Sequence, residues 1–135
     1  MLAPGTYPAL NLSGKVFGGA TIQCAKPGAC ILKNSDLVRV RDLTVDGVLV
    51  RSGNVGINID ESQNITIRCS TFVEQTNSGI LVNPGRSNER IVLDKNVFHN
   101  SRTGCNYVTG DCSGHLSDGS PVANMDYGIR AYDAN

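Results

Sequence analysis

A short internal repeat is the feature of this sequence that most limits how the chain can fold. Gly-Ile-Asn-Ile at 56–59 returns as Gly-Ile-Leu-Val at 79–82, and Gly-Ile recurs at 128–129. An earlier segment that begins at Ile31 aligns with the one that begins at Ile57. A repeat whose period falls between roughly 20 and 50 residues is typical of solenoids, in which each repeat buries its apolar side chains against its neighbours.

Within each repeat, apolar side chains alternate with polar ones. One polar residue separates Ile57 from Ile59, and one separates Ile65 from Ile67. A period of two indicates strands with one buried and one exposed face. We therefore predict an all-β fold, a right-handed parallel β-helix of about five turns with three short strands per turn; the handedness follows the usual chirality of parallel connections. An antiparallel sandwich also explains the alternation, but not why Gly-Ile returns at the same phase.

The composition agrees with many short strands joined by tight turns. The chain has 135 residues, with 15 Gly and 13 Asn but only three Glu. This length suits one domain, so we expect residues 1–135 to form a single domain with a loop insertion at about 100–127. Twelve basic and twelve acidic residues give no net charge, which argues against a nucleic-acid partner. No apolar run approaches the roughly 18 residues of a membrane span, so no membrane partner is expected either.

Five cysteines are a high density for so short a chain. Cys24 and Cys30 flank a Pro-Gly turn, and Cys105 and Cys112 flank a segment that contains glycine. We predict a local disulfide in each pair, which favours an oxidising compartment. Zinc is the alternative, but neither pair has the two-residue ligand gap and only two His are present. Cys69 is left over, and we expect it to be buried.

The predicted disulfides favour a secreted or cell-surface protein. Residues 1–5 contain no apolar segment of the kind a signal peptide has, so this location requires a leader that is not present in this chain.

The repeat resembles a known superfamily. Gly-Ile-x-Ile at 56–59, Ser-Gln-Asn-Ile-Thr-Ile at 62–67 and Ser-Thr-Phe at 70–72 are similar to the coil repeat of the pectin lyase-like right-handed β-helix superfamily. The similarity covers residues 2–133. The superfamily includes polysaccharide lyases, glycoside hydrolases, epimerases, phage tailspikes and adhesins, so the resemblance implies a fold more directly than an activity. It also implies that Asn96, at a corner where such folds stack Asn, is structural.

Natural β-helices carry capping elements over both ends of the stack, because the terminal turns otherwise present open apolar edges. Here a strand pattern begins at Gly5 and the last one ends near Tyr132. We therefore expect a short or truncated member of the superfamily, or a protomer that covers its ends by end-to-end self-association.

Mapped onto the coil of this superfamily, the Gly-Ile strands form the first sheet, and alternation identifies their outward positions. These positions hold Asn58, Asp60, Asn83, Arg130 and Tyr132. The resemblance implies a groove for an acidic glycan. Arg130 is the candidate base or carboxylate clamp, and Tyr132 would stack on a sugar ring. Asn58 and Asn83 would bind substrate, while Asp60 would bind Ca²⁺, which neutralises a uronate carboxylate and makes the adjacent proton removable.

The insertion supplies a further candidate, His115, as an acid or base. A loop of this length either has a function, here as a wall of the groove, or is a surface flap held by a disulfide. Hydrolysis would instead need two carboxylates, which Asp60 and Asp133 could approximate. The alternative for each outward residue is that it only gives the sheet a polar, hydrated outer face.

We therefore expect a carbohydrate-active protein that binds or cleaves an acidic polysaccharide or oligosaccharide, in its most specific form a polysaccharide lyase. The alternative is a non-catalytic structural or adhesive segment, such as part of a tailspike, surface fibre or adhesin. With four Tyr, three Phe and no Trp, the chain has few aromatic platforms for sugars, which favours this alternative.

Two segments match the acceptor pattern for N-glycosylation: Asn-Leu-Ser at 11–13 and Asn-Ile-Thr at 64–66. The second lies on a repeat strand, where we expect Asn64 to be structural.

Overall fold

The computed structural model describes residues 1–51, 53–75, 77–83, 88–99 and 127–131; within 127–131 it describes the backbone and the Ile129 side chain. These residues form fourteen β-strands. All named strand pairs are parallel. The strands are β1 (Gly5–Tyr7), β2 (Asn11–Ser13), β3 (Val16–Gln23), β4 (Cys30–Leu32), β5 (Ser35–Val38), β6 (Arg41–Asp46), β7 (Leu49–Arg51), β8 (Val55–Asp60), β9 (Gln63–Arg68), β10 (Thr71–Val73), β11 (Ser78–Val82), β12 (Glu89–Asp94), β13 (Val97–His99) and β14 (Tyr127–Ala131).

The strands form three parallel sheets that wind around one core. The first sheet has the order β14-β11-β8-β5-β2, the second β12-β9-β6-β3 and the third β1-β4-β7-β10-β13. Each strand therefore pairs with the strand three places along the chain, which is one turn of a β-helix. The predicted fold class and the three strands per turn are confirmed. The described strands make about four complete turns and begin a fifth, with β13 in the third sheet and β14 in the first.

The core is a set of apolar ladders that run from turn to turn. Leu37 pairs with Ile59 in the first sheet, and their side chains are 1% and 0% exposed. Ile65 and Ile67 of the second sheet are also fully buried. Because adjacent strands lie about 4.8 Å apart, inward side chains at the same phase contact each other continuously. The alternation seen in the sequence therefore buries one face of every sheet.

Aromatic rings extend the core in the third sheet. Phe72 pairs with Phe98 in the next turn, and their rings stack with centroids 5.1 Å apart. Gly56 makes room for this stack: a Cβ added there would collide with the Gly79 carbonyl oxygen and lie 2.9 Å from Cδ1 of Phe72. This close approach explains why glycine precedes isoleucine at position 56.

The register corrects the alignment of the first repeat. Ile31 pairs with Leu49 in the third sheet, whereas the partner of Ile57 in the first sheet is Ser35. The turn that ends at Ile57 therefore begins at Ser35 and is shorter than the alignment with Ile31 predicts. The apolar alternation is similar in all three sheets, so it predicts strands correctly without identifying the sheet to which each strand belongs.

The corner between the second and third sheets turns through one left-handed residue per turn. Gly47, Cys69 and Lys95 occupy this place, with φ angles of 72°, 51° and 54°. Cys69 is exposed and carries a free thiol, so the expectation that it is buried is wrong. The physical reason is its place at the corner, where the next residue, Ser70, provides the buried side chain.

Polar side chains inside this corner satisfy the backbone of the preceding turn. Ser70 Oγ accepts the Val48 N–H at 3.2 Å, and Asn96 Oδ1 accepts the Ser70 N–H at 3.0 Å. These bonds pair backbone groups that have no strand partner at the corner. The structural role expected for Asn96 is confirmed.

The first predicted disulfide is present. Cys24 and Cys30 are bonded, with their Cα atoms 5.8 Å apart. The loop that they close packs against the next corner, where the Gly28 N–H donates to the Gly47 carbonyl at 2.9 Å. The second predicted pair, Cys105 and Cys112, lies outside the described residues.

Candidate binding site on the first sheet

Outward positions of the first sheet form a column that runs from turn to turn. By backbone register, the column runs Asn11, Asp36, Asn58, Leu81 and Arg130. Four strand spacings of about 4.8 Å give it a length of roughly 19 Å. The inward neighbours of Asn58 on β8 are at most 1% exposed, so β8 is fixed in the core while Asn58 lies half-buried on the outer face. The middle of the column therefore stands on a rigid strand, β8.

A second column lies beside the first. Asp60 pairs with Val38, and the Asn83 N–H donates to the Ile59 carbonyl at 2.8 Å, which places Asn83 one turn beyond Asp60. Asn83 Nδ2 donates to Asn58 Oδ1 at 3.5 Å. The structure thus brings together three predicted residues, Asn58, Asp60 and Asn83. With Asp36 they form what we call the first-sheet patch.

The first-sheet patch combines two amides with two carboxylates. An amide has two donor hydrogens and an oxygen with two lone pairs, and a carboxylate only accepts. The bond between Asn83 and Asn58 uses one hydrogen and one acceptor site, so each amide retains capacity for a ligand. Asp36 is exposed and Asp60 is half-buried, so both carboxylates can accept from donors in solution. The patch can therefore hydrogen-bond a neutral polar ligand and attract a cation.

At the first-sheet patch, the described residues offer Ca²⁺ few carboxylate ligands. Calcium takes six to eight oxygen ligands, usually with several carboxylates. In the described part of the chain, no group of three or more His, Cys, Asp or Glu side chains is placed to hold a metal ion. Asp60 could supply only part of a coordination shell, and Ca²⁺ binding by this residue stays a prediction.

The remaining predicted residues are placed only partly. The backbone of Arg130 pairs with Leu81, which in turn pairs with Asn58. Arg130 is therefore two strands from Asn58, a backbone separation of roughly 10 Å. Tyr132, His115 and Asp133 lie outside the described residues, as do residues 100–126 of the predicted insertion. Their roles stay predictions.

Asp36 is a residue of the patch that the sequence reasoning missed. The segment at 36–38 pairs with 58–60, so Asp36 occupies the place of Asn58 in the preceding turn. A comparison of the sequence with itself at the offset that separates Ser35 from Ile57 would have aligned Asp36 with Asn58. The longer spacing assigned to the first repeat hid this relationship.

A buried ion pair lies away from the patch, at the corner that leads from the third sheet to the first. Arg51 Nε lies 3.3 Å from Glu74 Oε2, and their side chains are 19% and 0% exposed. The neighbouring Gln75 is also fully buried, and its Nε2 donates to the Val50 carbonyl at 3.1 Å. Because a buried charge is costly unless it is paired, the contact with Arg51 offsets part of the cost of burying Glu74.

Comparison with protein families decides the identity of the fold. A family model described as the right-handed beta helix region matches residues 16–135. The chain belongs to this family. Membership establishes the right-handed coil, but the description names a fold and no reaction, and function depends on sites that are added to a fold.

No match to this β-helix protein is found among curated proteins or among solved structures. The described residues of the β-helix include no helix long and apolar enough to cross a membrane.

Proposed function

We propose that this β-helix is a pectin lyase-like protein that binds a polysaccharide along the outer face of its first sheet. The observation that carries the proposal is the contact between Asn83 and Asn58 beside Asp60. Asn58 and Asp60 lie on β8, whose inward residues Ile57 and Ile59 are almost fully buried, and Asn83 directly follows β11. Polar groups held by a rigid scaffold lose little freedom on binding, so they favour recognition.

A carbohydrate suits this patch for two reasons. Sugar hydroxyls both donate and accept, and the amides of Asn58 and Asn83 together with the carboxylates of Asp36 and Asp60 offer partners for both. A polysaccharide is also a repeating ligand, and the outward column repeats at the strand spacing of about 4.8 Å. A chain of sugars lying along the column would therefore find a similar backbone environment at each turn.

The negative charge of the patch means that an acidic glycan needs a cation in order to bind there. Asp36 and Asp60 would repel a uronate carboxylate, unless a cation lay between them. We therefore expect a uronate polymer to bind in the presence of Ca²⁺ and to bind poorly when a chelator is present. A neutral polymer would bind without Ca²⁺.

Cleavage is the more specific form of the proposal. A polysaccharide lyase removes the proton adjacent to a uronate carboxylate and then expels the neighbouring sugar oxygen. In this protein Arg130 would act as base or carboxylate clamp, with His115 as a second acid or base and Tyr132 as the platform for a sugar ring. The protein would then be secreted or displayed at the cell surface, where it meets such polymers.

A structural or adhesive segment is the second candidate, because outward polar residues of the second sheet pair with each other. Arg68 Nε lies 2.9 Å from Asp46 Oδ2 in the preceding turn, and Asn64 Nδ2 donates to Asp42 Oδ1 at 2.8 Å. Contacts of this kind stiffen a rod and require no ligand. End-to-end self-association of such a rod would belong to this candidate.

A paired binding and turnover assay distinguishes the candidates. The chain is titrated calorimetrically with uronate and neutral oligosaccharides of matched length, each with Ca²⁺ or with chelator. The same mixtures are followed by ultraviolet absorbance for unsaturated uronate products. Binding with product formation supports a lyase, and binding without product supports a recognition module. Absence of binding to every polymer would contradict the proposed function and favour the structural rod.

A further inference from the structure

The second sheet presents a modification motif that the proposed function does not use. Asn64 begins the segment Asn-Ile-Thr at 64–66, which matches the acceptor pattern for N-linked glycans. In the fold, Asn64 is exposed and its backbone is left-handed, with φ 55°. An attached glycan can be accommodated at an exposed side chain without disturbing the core.

The three residues of the motif differ in their burial. Ile65 is fully buried and belongs to the core. Thr66 is half-exposed and lies between Thr44 and Val92 in an outward column. The strand is thus anchored by its middle residue, while the acceptor stays on the surface.

We propose that Asn64 is the attachment site of an N-linked glycan. In this reaction, Nδ2 of Asn64 forms a bond to the anomeric carbon of an oligosaccharide carried on a polyprenyl diphosphate. The bond between that carbon and the diphosphate oxygen breaks, the diphosphate leaves with the electron pair, and the amide loses one proton. Atoms and charge balance, and no oxidant or reductant is needed.

The contact with Asp42 is compatible with this modification. Asn64 Nδ2 donates to Asp42 Oδ1 at 2.8 Å, and an unmodified amide nitrogen has two hydrogens. Glycosylation replaces one of them, so one hydrogen remains to donate. The disulfide between Cys24 and Cys30 is an independent sign that the chain suits an oxidising compartment, and N-glycosylation is typical of secreted proteins.

Position also favours Asn64 over the other motif. Asn11 is exposed as well, but it pairs with Asp36 in the column that contains Asn58. A glycan on Asn11 would lie on the same face as the first-sheet patch. Asn64 is on the second sheet, so a glycan there leaves the patch open. The inference does not depend on what the patch binds.

The test uses the full chain, fused to a secretion leader and expressed in a eukaryotic host. Asn11→Asp removes the other motif, so any N-glycan in this variant must be on Asn64. Two further variants are made in the same background. Asn64→Asp keeps a residue that tolerates the left-handed backbone, and Thr66→Val places at this position the residue that the same column has at Val92. Intact mass is measured before and after peptide-N-glycosidase treatment, and peptides are mapped in heavy-oxygen water.

The N11D chain is expected to lose the mass of a glycan on enzyme treatment, with labelled conversion of Asn64 to Asp. The N11D/N64D and N11D/T66V chains are expected to show no such loss. An unmodified Asn64 peptide in the N11D chain, in both medium and cell-retained fractions, would overturn the proposal. A releasable glycan that persists in N11D/N64D would also overturn it, because the glycan would then be attached to another residue.

Discussion

Asn96 and Ser70 are joined across one turn of the β-helix by a hydrogen bond in which the Ser70 N–H donates to Asn96 Oδ1 at 3.0 Å. Asn96 Nδ2 also donates to the Ile67 carbonyl of the same preceding turn, at 2.9 Å. One side chain therefore pairs a backbone donor at the corner, Ser70 N–H, and a backbone acceptor near the end of β9, the Ile67 carbonyl. Each turn of the solenoid in this way completes the turn before it.

Asn96→Ala should destabilise the protein by about 2 kcal/mol, because it leaves two partly buried backbone groups without their partner. The measurement is urea unfolding followed by circular dichroism, with a lower midpoint and an unchanged slope expected. Asn11→Ala, at an exposed strand position, is the matched control and should shift the midpoint little. Equal midpoints for the N96A and wild-type chains would show that the corner ladder contributes no stability.

Gly56→Ala should cost about 3 kcal/mol or prevent folding, since the new Cβ would collide with the Gly79 carbonyl oxygen and approach the Phe72 ring. The control is Gly14→Ala. There a Cβ meets nothing within 4 Å, but φ is +64°, so only the left-handed backbone is penalised, by about 1 kcal/mol. Thermal unfolding of the two variants compares these costs. A G56A chain as stable as G14A would contradict the close approach inferred for the repeat glycine.

Glu74→Gln should destabilise the chain by about 3 kcal/mol, because it leaves the charge of Arg51 without its buried partner. Asp46→Asn is the comparison: it removes the pair with Arg68, whose side chain is 46% exposed, and should cost less than about 1 kcal/mol. Added salt should reduce the effect of D46N and change that of E74Q little. If urea unfolding showed that E74Q and D46N lose the same unfolding free energy, burial would not distinguish the two ion pairs.

Replacing both Cys24 and Cys30 by Ala should lower stability by about 2 kcal/mol, the loss expected for opening a short loop. The effect should be modest because the two residues are separated by only six positions. Differential scanning calorimetry provides the measurement. The single variant Cys69→Ala, at the exposed free thiol, is the control and should melt close to the wild type. A double variant as stable as C69A would show that the disulfide does not constrain the unfolded chain.

The sequence predicts the type of fold well because its strongest signals are local. Ile57 and Ile59 are separated by one residue, and both are buried in the first sheet. The assignment of Ile31 was wrong because its strand alternates like the others, while only long-range pairing shows that Leu49 is its partner. The exposure of Cys69 was missed for a related reason: a corner position depends on where strands end, which the apolar pattern marks only to within a few residues.

The sequence predicts which side chains of the candidate site point outward, but it does not identify every residue of the site. Alternation alone shows that Asn58 and Asp60 point away from the buried Ile59. Register adds Asp36 one turn earlier and brings Asn83 to within 3.5 Å of Asn58. No single spacing gives both relationships, because the turns differ in length: the turn from Ser35 to Ile57 is shorter than the turn from Ile57 to Ile80.

Calorimetric titration of the double variant Asn58→Ala/Asn83→Ala with a uronate oligosaccharide and Ca²⁺ tests the central claim most directly. Thr44→Ala, a half-exposed outward position on the second sheet, is the matched control. If the first sheet binds the glycan, the double variant should bind at least about tenfold more weakly, a loss of about 1.4 kcal/mol or more, while T44A binds like the wild type. Wild-type affinity in a folded N58A/N83A chain would contradict the account.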